Sequence, residues 1–189
     1  MSIVLSHTTA KAVYQVAHSV SAKGIESCSP AAIYGSCPTG TLLDAAAEWL
    51  TKHDVSLDAN DSLEVMVFDR RNARYAMNCQ CHVSSKRFSN SRFIELKDGI
   101  FIVSVELCAL QAATYLPFRE LVEYYFELCS AYSLGTDSST SYTERFALTS
   151  TERLKQFFNS ITRCDGLALA RKAIQCVRDG CLPWKRHLS

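Results

Sequence analysis

With 189 residues, 48% of them apolar and 21% charged, and with only seven glycines and four prolines, the chain can bury a proper core, which excludes a disordered or fibrous protein. No apolar run approaches the length of a membrane span, and MSIVLSHTTAK has neither the basic start nor the apolar stretch of a secretory signal, so a cytoplasmic protein without membrane contact is expected. The net charge of +1 hides an asymmetry: residues 100–149 carry two basic and six acidic residues, and residues 150–189 carry eight basic and three acidic.

Ser6 is placed to cap a first helix over about residues 7–19, where Ala10, Val13, Ala17 and Val20 recur at helical spacing. CSPAAIYGSCPTG reads as irregular, and Thr41 with Asp44 marks a second helix through TLLDAAAEWL. LEVMVFD (63–69) alternates and is rich in β-formers, which predicts a strand; Arg70 to Arg74 turns the chain into a second strand from Tyr75 to Val83. RFIELKDGIFIVS is a hairpin, with Asp98-Gly99 supplying the turn.

Ser104 then caps a helix containing Leu107, Leu110, Ala113 and Thr114, and Pro117 suits the first turn of the next, where Leu121, Tyr125, Leu128 and Tyr132 form a stripe. GTDSSTSYTE carries no order signal. Thr149 with Glu152 is a capping-box pattern for a helix ending near Asn159, and Gly166 to Arg178 forms a last helix with Leu167, Ala170, Ile174 and Val177 inward and Gly180 as its stop. The fold class expected is α+β: N-terminal helices over 1–60, a four-stranded, mainly antiparallel sheet over 61–104, a helical part over 105–181 and a short tail over 182–189, all one domain.

Four groups of residues invite chemistry. Nine cysteines, an odd number set singly among helical and strand patterns, read as reduced thiols rather than a disulfide framework. Cys79-Gln80-Cys81-His82 has metal-ligand types, yet on a strand both thiols face one way and His82 the other, so no metal set is expected there. Glu106-Leu107-Cys108 and Glu127-Leu128-Cys129 repeat a tripeptide, but each Cys lies between Leu and a small residue with no His on its helix, which points to packing rather than a nucleophile. Glu95-x-Lys97 with Asp69 upstream resembles the carboxylate pair and lysine of Mg-dependent nucleases, although charged residues beside the Asp98-Gly99 turn have a plainer reason to be there. Finally, Arg163, Arg171, Lys172 and Arg178, with Lys185 and Arg186 in the tail, supply a cationic surface suited to nucleic acid or an acidic protein partner.

Several motifs occur in the order found in AbiEi-type antitoxin-like regulators and in the N-terminal region of related proteins that carry very-short-patch-repair-like endonuclease domains. Ser6-His7-Thr8-Thr9-Ala10 resembles that group's opening helix start, Cys81-His82-Val83 its strand ending in His-Val, and Asp98-Gly99 through Ser104 its hairpin. The two Glu-Leu-Cys segments and Leu148-Thr149-Ser150 resemble its later helices. Val105 and Ser130 depart from the Pro and Gly usual there, and CLPWKRHLS keeps Pro183 but has no acidic residue leading into a nuclease domain. The resemblance implies a non-catalytic interaction module, antitoxin-like or regulatory, of a bacterial defence or toxin–antitoxin system, needing no cofactor. The alternatives are an orphaned accessory domain that positions DNA for a repair-type endonuclease, and a small Mg-dependent nuclease using Asp69, Glu95 and Lys97.

Overall fold

The computed structural model describes residues 1–16, 33–57, 62–73, 79–134, 142–144 and 147–179. The chain divides into two compact units, Met1–Cys108 and Ala109–Ser189.

In the first unit Ile3–Leu5 is a fully buried strand, β1, at the centre of a sheet. It is followed by α1 (His7–Val16), α2 (Gly40–Lys52), β2 (Leu63–Val67), β3 (Cys79–Val83), β4 (Phe93–Lys97) and β5 (Ile100–Val103). The strand order is β3-β2-β1-β5-β4. β1 runs parallel to β5 and β2 parallel to β3, while β1–β2 and β4–β5 are antiparallel. The expected four-stranded, mainly antiparallel sheet is therefore corrected to a five-stranded mixed one. The missing strand escaped because three apolar residues buried on both faces show no alternation, the usual mark of a strand. β2 and β3 are parallel, and the turn expected at Arg70–Arg74 is described as far as Ala73. Within it Arg70–Asn72 forms a 3-10 turn whose start is held by the Asp69 carboxylate, which accepts from the Arg71 amide.

α1 turns Thr9, Ala10, Val13 and Tyr14 inward, and the Tyr14 hydroxyl donates to the Val103 carbonyl at 2.6 Å. The last part of the helix expected over 7–19 lies outside the described residues. α2 buries Leu43, Ala46 and Leu50; Thr39 stands at its N-cap, so the Thr41–Asp44 cap expected from the sequence does not form its start. The Asp98-Gly99 turn is as expected, with a register shift between Glu95 and Lys97. Gly99 has φ +76°, and a β-carbon there would lie 2.9 Å from the Met1 carbonyl oxygen, so the turn and its close approach to the chain start both require glycine.

α3 (Val105–Ala112) runs across the division between the units, and the second unit continues with α4 (Phe118–Cys129), α5 (Thr151–Ser160) and α6 (Leu167–Ile174). Pro117 is the N-cap of α4, which buries Leu121, Tyr124, Tyr125, Leu128 and Cys129. Tyr132, expected on that stripe, lies past the end of α4. It opens β6 (Tyr132–Leu134), which pairs antiparallel with β7 (Tyr142–Glu144) inside the segment expected to lack order. Three-residue strands are too short to carry a periodic signal. Ser150, one residue on from the expected cap, accepts from the Arg153 amide and starts α5. Leu167, Ala170, Ile174 and Val177 all face inward as expected, whereas the stop at Gly180 lies outside the described residues. Gly166, at φ +74°, begins α6; a β-carbon there would come within 2.9 Å of the Ala113 backbone.

Candidate functional site

The first unit concentrates polar groups where β1 ends. Ser6 and His7 join β1 to α1 with no intervening loop, and the sharp turn needs His7 at φ +49°. Histidine is among the residues enriched in this left-handed conformation, yet it still costs about 1 kcal/mol relative to an ordinary backbone. Backbone strain of this kind concentrates at functional sites.

The His7 ring stacks on His82, with centroids 3.6 Å apart and planes inclined by 21°, and its Nδ1 lies 3.0 Å from the Ser6 hydroxyl. Register explains how His82 arrives. Met66 pairs with His82 and Glu64 with Gln80 in the parallel β2–β3 ladder, so alternation sets Glu64 and His82 on one face while Cys79 and Cys81 take the other. Because β1 and β2 are antiparallel, the beginning of β2 lies beside the end of β1, which brings Glu64 under the start of α1. There one carboxylate oxygen, Oε2, accepts from the Thr8 amide at 2.7 Å, and the Glu64 amide donates to Thr9 Oγ1 at 2.9 Å. A carboxylate in this place satisfies a donor of the first helical turn and suits the positive end of the helix.

The other oxygen, Oε1, faces His82 Nε2 at 3.5 Å, too long for a good hydrogen bond. His82 Nε2 is buried and is the side-chain polar atom left without a hydrogen-bond partner among the described residues. The ligand atoms of His7, Glu64 and His82 all lie within 4.8 Å of one another. Burial, and then the neighbouring His82, bring the His7 imidazole down to about 4, with Glu64 opposing; near neutral pH the ring is uncharged and can offer a lone pair. Burial alone would raise the Glu64 carboxyl, but the His82 imidazole and Thr8 outweigh it and hold the group below its usual range, so it is ionised. The arrangement thus offers two imidazoles and one carboxylate at the end of the central strand.

The residues singled out in the sequence fare differently. Cys79 and Cys81 do share a face, with sulfurs 3.8 Å apart, and burial followed by Cys81 pushes the Cys79 thiol up to about 12. Cys108 and Cys129 are both buried, and burial together with Asp179 pushes Cys129 up to about 12, so neither thiol has the setting of a nucleophile. Asp69 is gripped by Arg71, whose guanidinium donates to both carboxylate oxygens at 2.6–3.1 Å and draws the carboxyl down to about 2. Glu95 accepts from the Gly99 amide on β4, and β4 is three strands away from β2 in the sheet. Three inter-strand spacings are roughly 14 Å, so Asp69 and Glu95 are not brought together as the nuclease reading requires.

Arg163, Arg171, Lys172 and Arg178 are all exposed, while Lys185 and Arg186 lie outside the described residues. Arg171 is partly committed to structure: its Nη2 donates to the carbonyls of Phe158 and Ile161 at 2.8 and 2.9 Å, closing the end of α5. Lys172 Nζ stands 5.1 Å from the centre of the Phe118 ring. Sequence reasoning passed over His7 and Glu64, because nothing in their spacing from His82 signals proximity; the one usable hint was a polar Glu64 within an otherwise apolar strand. No helix among the described residues is long and apolar enough to cross a membrane. Comparison with family models, with curated proteins and with solved structures finds no match to this chain.

Proposed function

We propose that the protein is a non-catalytic interaction module, antitoxin-like or regulatory in the sense that the sequence resemblance implies. The observation that carries this reading is the sealing of both Glu-Leu-Cys thiols within helices. The Glu106 carboxylate of the first copy is buried too, 3.7 Å from Arg92 Nη1. Both thiol-bearing segments thus serve as scaffold, which supports a chain that works through its surfaces. Candidate partners follow from charge: the exposed Arg163, Lys172 and Arg178 suit an acidic protein, such as a toxin, or a phosphate backbone.

Mixing the purified chain with the product of the neighbouring gene, followed by size-exclusion chromatography, tests the protein-partner reading; a stoichiometric complex is expected. Two proteins that elute independently at micromolar concentration would refute it. The exposed cations also favour a second reading, an accessory domain that positions DNA. That reading expects binding to any duplex with an affinity that falls steeply with salt, and a shallower salt slope in an Arg163→Glu/Arg178→Glu variant.

A further inference from the structure

We propose that His7, Glu64 and His82 bind one divalent transition-metal ion of the zinc class, tying the start of α1 to the edge of the sheet. The inference goes beyond the interaction reading and does not rest on it.

The donor types come first. Two imidazole nitrogens and a carboxylate oxygen suit zinc, cobalt or nickel rather than calcium or magnesium, which favour all-oxygen shells. Three protein ligands leave a fourth position for water or for a side chain of a partner. Supporting contacts are in place as well. Ser6 holds Nδ1 of His7, and the Thr8 amide holds one oxygen of Glu64 while leaving the other toward His82. Ligating rings and carboxylates are characteristically held this way, by a contact on the atom that the metal does not use.

A buried nitrogen with no hydrogen-bond partner is the second indication. Leaving such a group unpaired is costly, and in a native structure it calls for a proton, a water or an ion at that point. His82 Nε2 is this atom, and the group nearest to it is the oxygen of Glu64 that the Thr8 amide does not occupy. The third indication is position. A strained His7 at the turn from β1 to α1 projects its ring at the end of the sheet, where the strain gains a purpose if the ring must meet donors from two other strands.

Geometry also says what must change on binding. Bonds of about 2.0–2.1 Å in a tetrahedral shell put donors roughly 3.4 Å apart, closer than the present spread of up to 4.8 Å. Two stacked rings aim their in-plane lone pairs side by side and not at one point, so one ring has to turn. His82, on edge strand β3 and with 28% of its side chain exposed, has room to do so, whereas His7 is held by Ser6. The His7–His82 stack therefore has to open when the ion enters.

The test uses the full chain, freed of metal with a chelator and then given one equivalent of Zn²⁺ or Co²⁺. One ion per chain is expected after desalting, with a raised melting temperature and a Co²⁺ spectrum that lacks the near-ultraviolet thiolate band. Replacing a ligand by His82→Gln or Glu64→Gln should weaken binding by about 100-fold or more, the upper end of what loss of a mere supporting partner costs. His7→Asn should do the same, and asparagine tolerates the left-handed backbone at that position. A Cys79→Ser/Cys81→Ser variant should bind as the parent does, because those sulfurs are on the opposite face. The proposal is overturned if no ion is retained, if the cobalt spectrum shows a thiolate band, or if His82→Gln binds undiminished. Should a ligand variant fail to fold, the cobalt spectrum of the unaltered chain still decides.

Discussion

The two units use polar side chains in opposite ways. In Ala109–Ser189 they close helix ends: Ser150 accepts from the Arg153 amide, Asp179 accepts from both the amide and the hydroxyl of Thr151, Arg171 caps two carbonyls at the end of α5, and the Tyr125 hydroxyl donates to Ala109. These polar groups find a partner in the chain itself, which is how a scaffold is built. In Met1–Cys108 three polar side chains, His7, Glu64 and His82, converge on one point from a strained turn and two strands, and one buried nitrogen among them has no hydrogen-bond partner. A polar cluster that the chain alone does not satisfy has the makings of a site, whereas a satisfied one is scaffold.

The strongest test of this contrast is Gly166→Ala. A side chain at φ +74° and 2.9 Å from the Ala113 backbone has no room, and a loss of about 3 kcal/mol is expected in denaturant unfolding, with Zn²⁺ affinity of the folded protein unchanged. A loss below 1 kcal/mol would mean that α6 shifts freely.

Acid comes next. In metal-free protein the folded His7 stays uncharged down to about 4, whereas the unfolded residue takes a proton near 6.5. The unfolded state thus binds more protons below 6.5, and the stability present above that pH is lost as pH falls toward 4, by on the order of 2–3 kcal/mol. His7→Asn should flatten this acid limb, and a limb equally steep in the variant would count against the burial of His7. Alkali should act on both units, since Cys79 and Cys129 are both pushed up to about 12. Their unfolded thiols lose protons near 9, so stability present below 9 declines as pH rises toward 12.

A smaller effect belongs to Asp179→Ala, which strips Thr151 of its carboxylate partner at the start of α5; about 1–2 kcal/mol is expected in thermal or urea unfolding. The smallest is Arg119→Ala. Its i, i+4 pair with Glu123 is exposed on α4, and a change within about 0.5 kcal/mol is expected. A larger change at that position would show that surface charge carries more of the second unit than its helix caps do.

The local pattern of residues determined much of this protein. The Asp98-Gly99 hairpin, Pro117 at the start of α4, the inward stripe of α6 and the shared face of Cys79 and Cys81 all follow from periods of 2 and 3.6 or from turn chemistry, which act over a few neighbouring residues. The centre of the sheet and the candidate site depended on long-range pairing instead. β1 has three residues with no alternation to read, and its parallel pairing with β5 joins segments nearly a hundred residues apart. His7, Glu64 and His82 likewise come from three elements, and strand order and register, not spacing along the chain, set the distances between them. A periodic pattern tells which face of an element is buried; it carries no information about which other element will cover it.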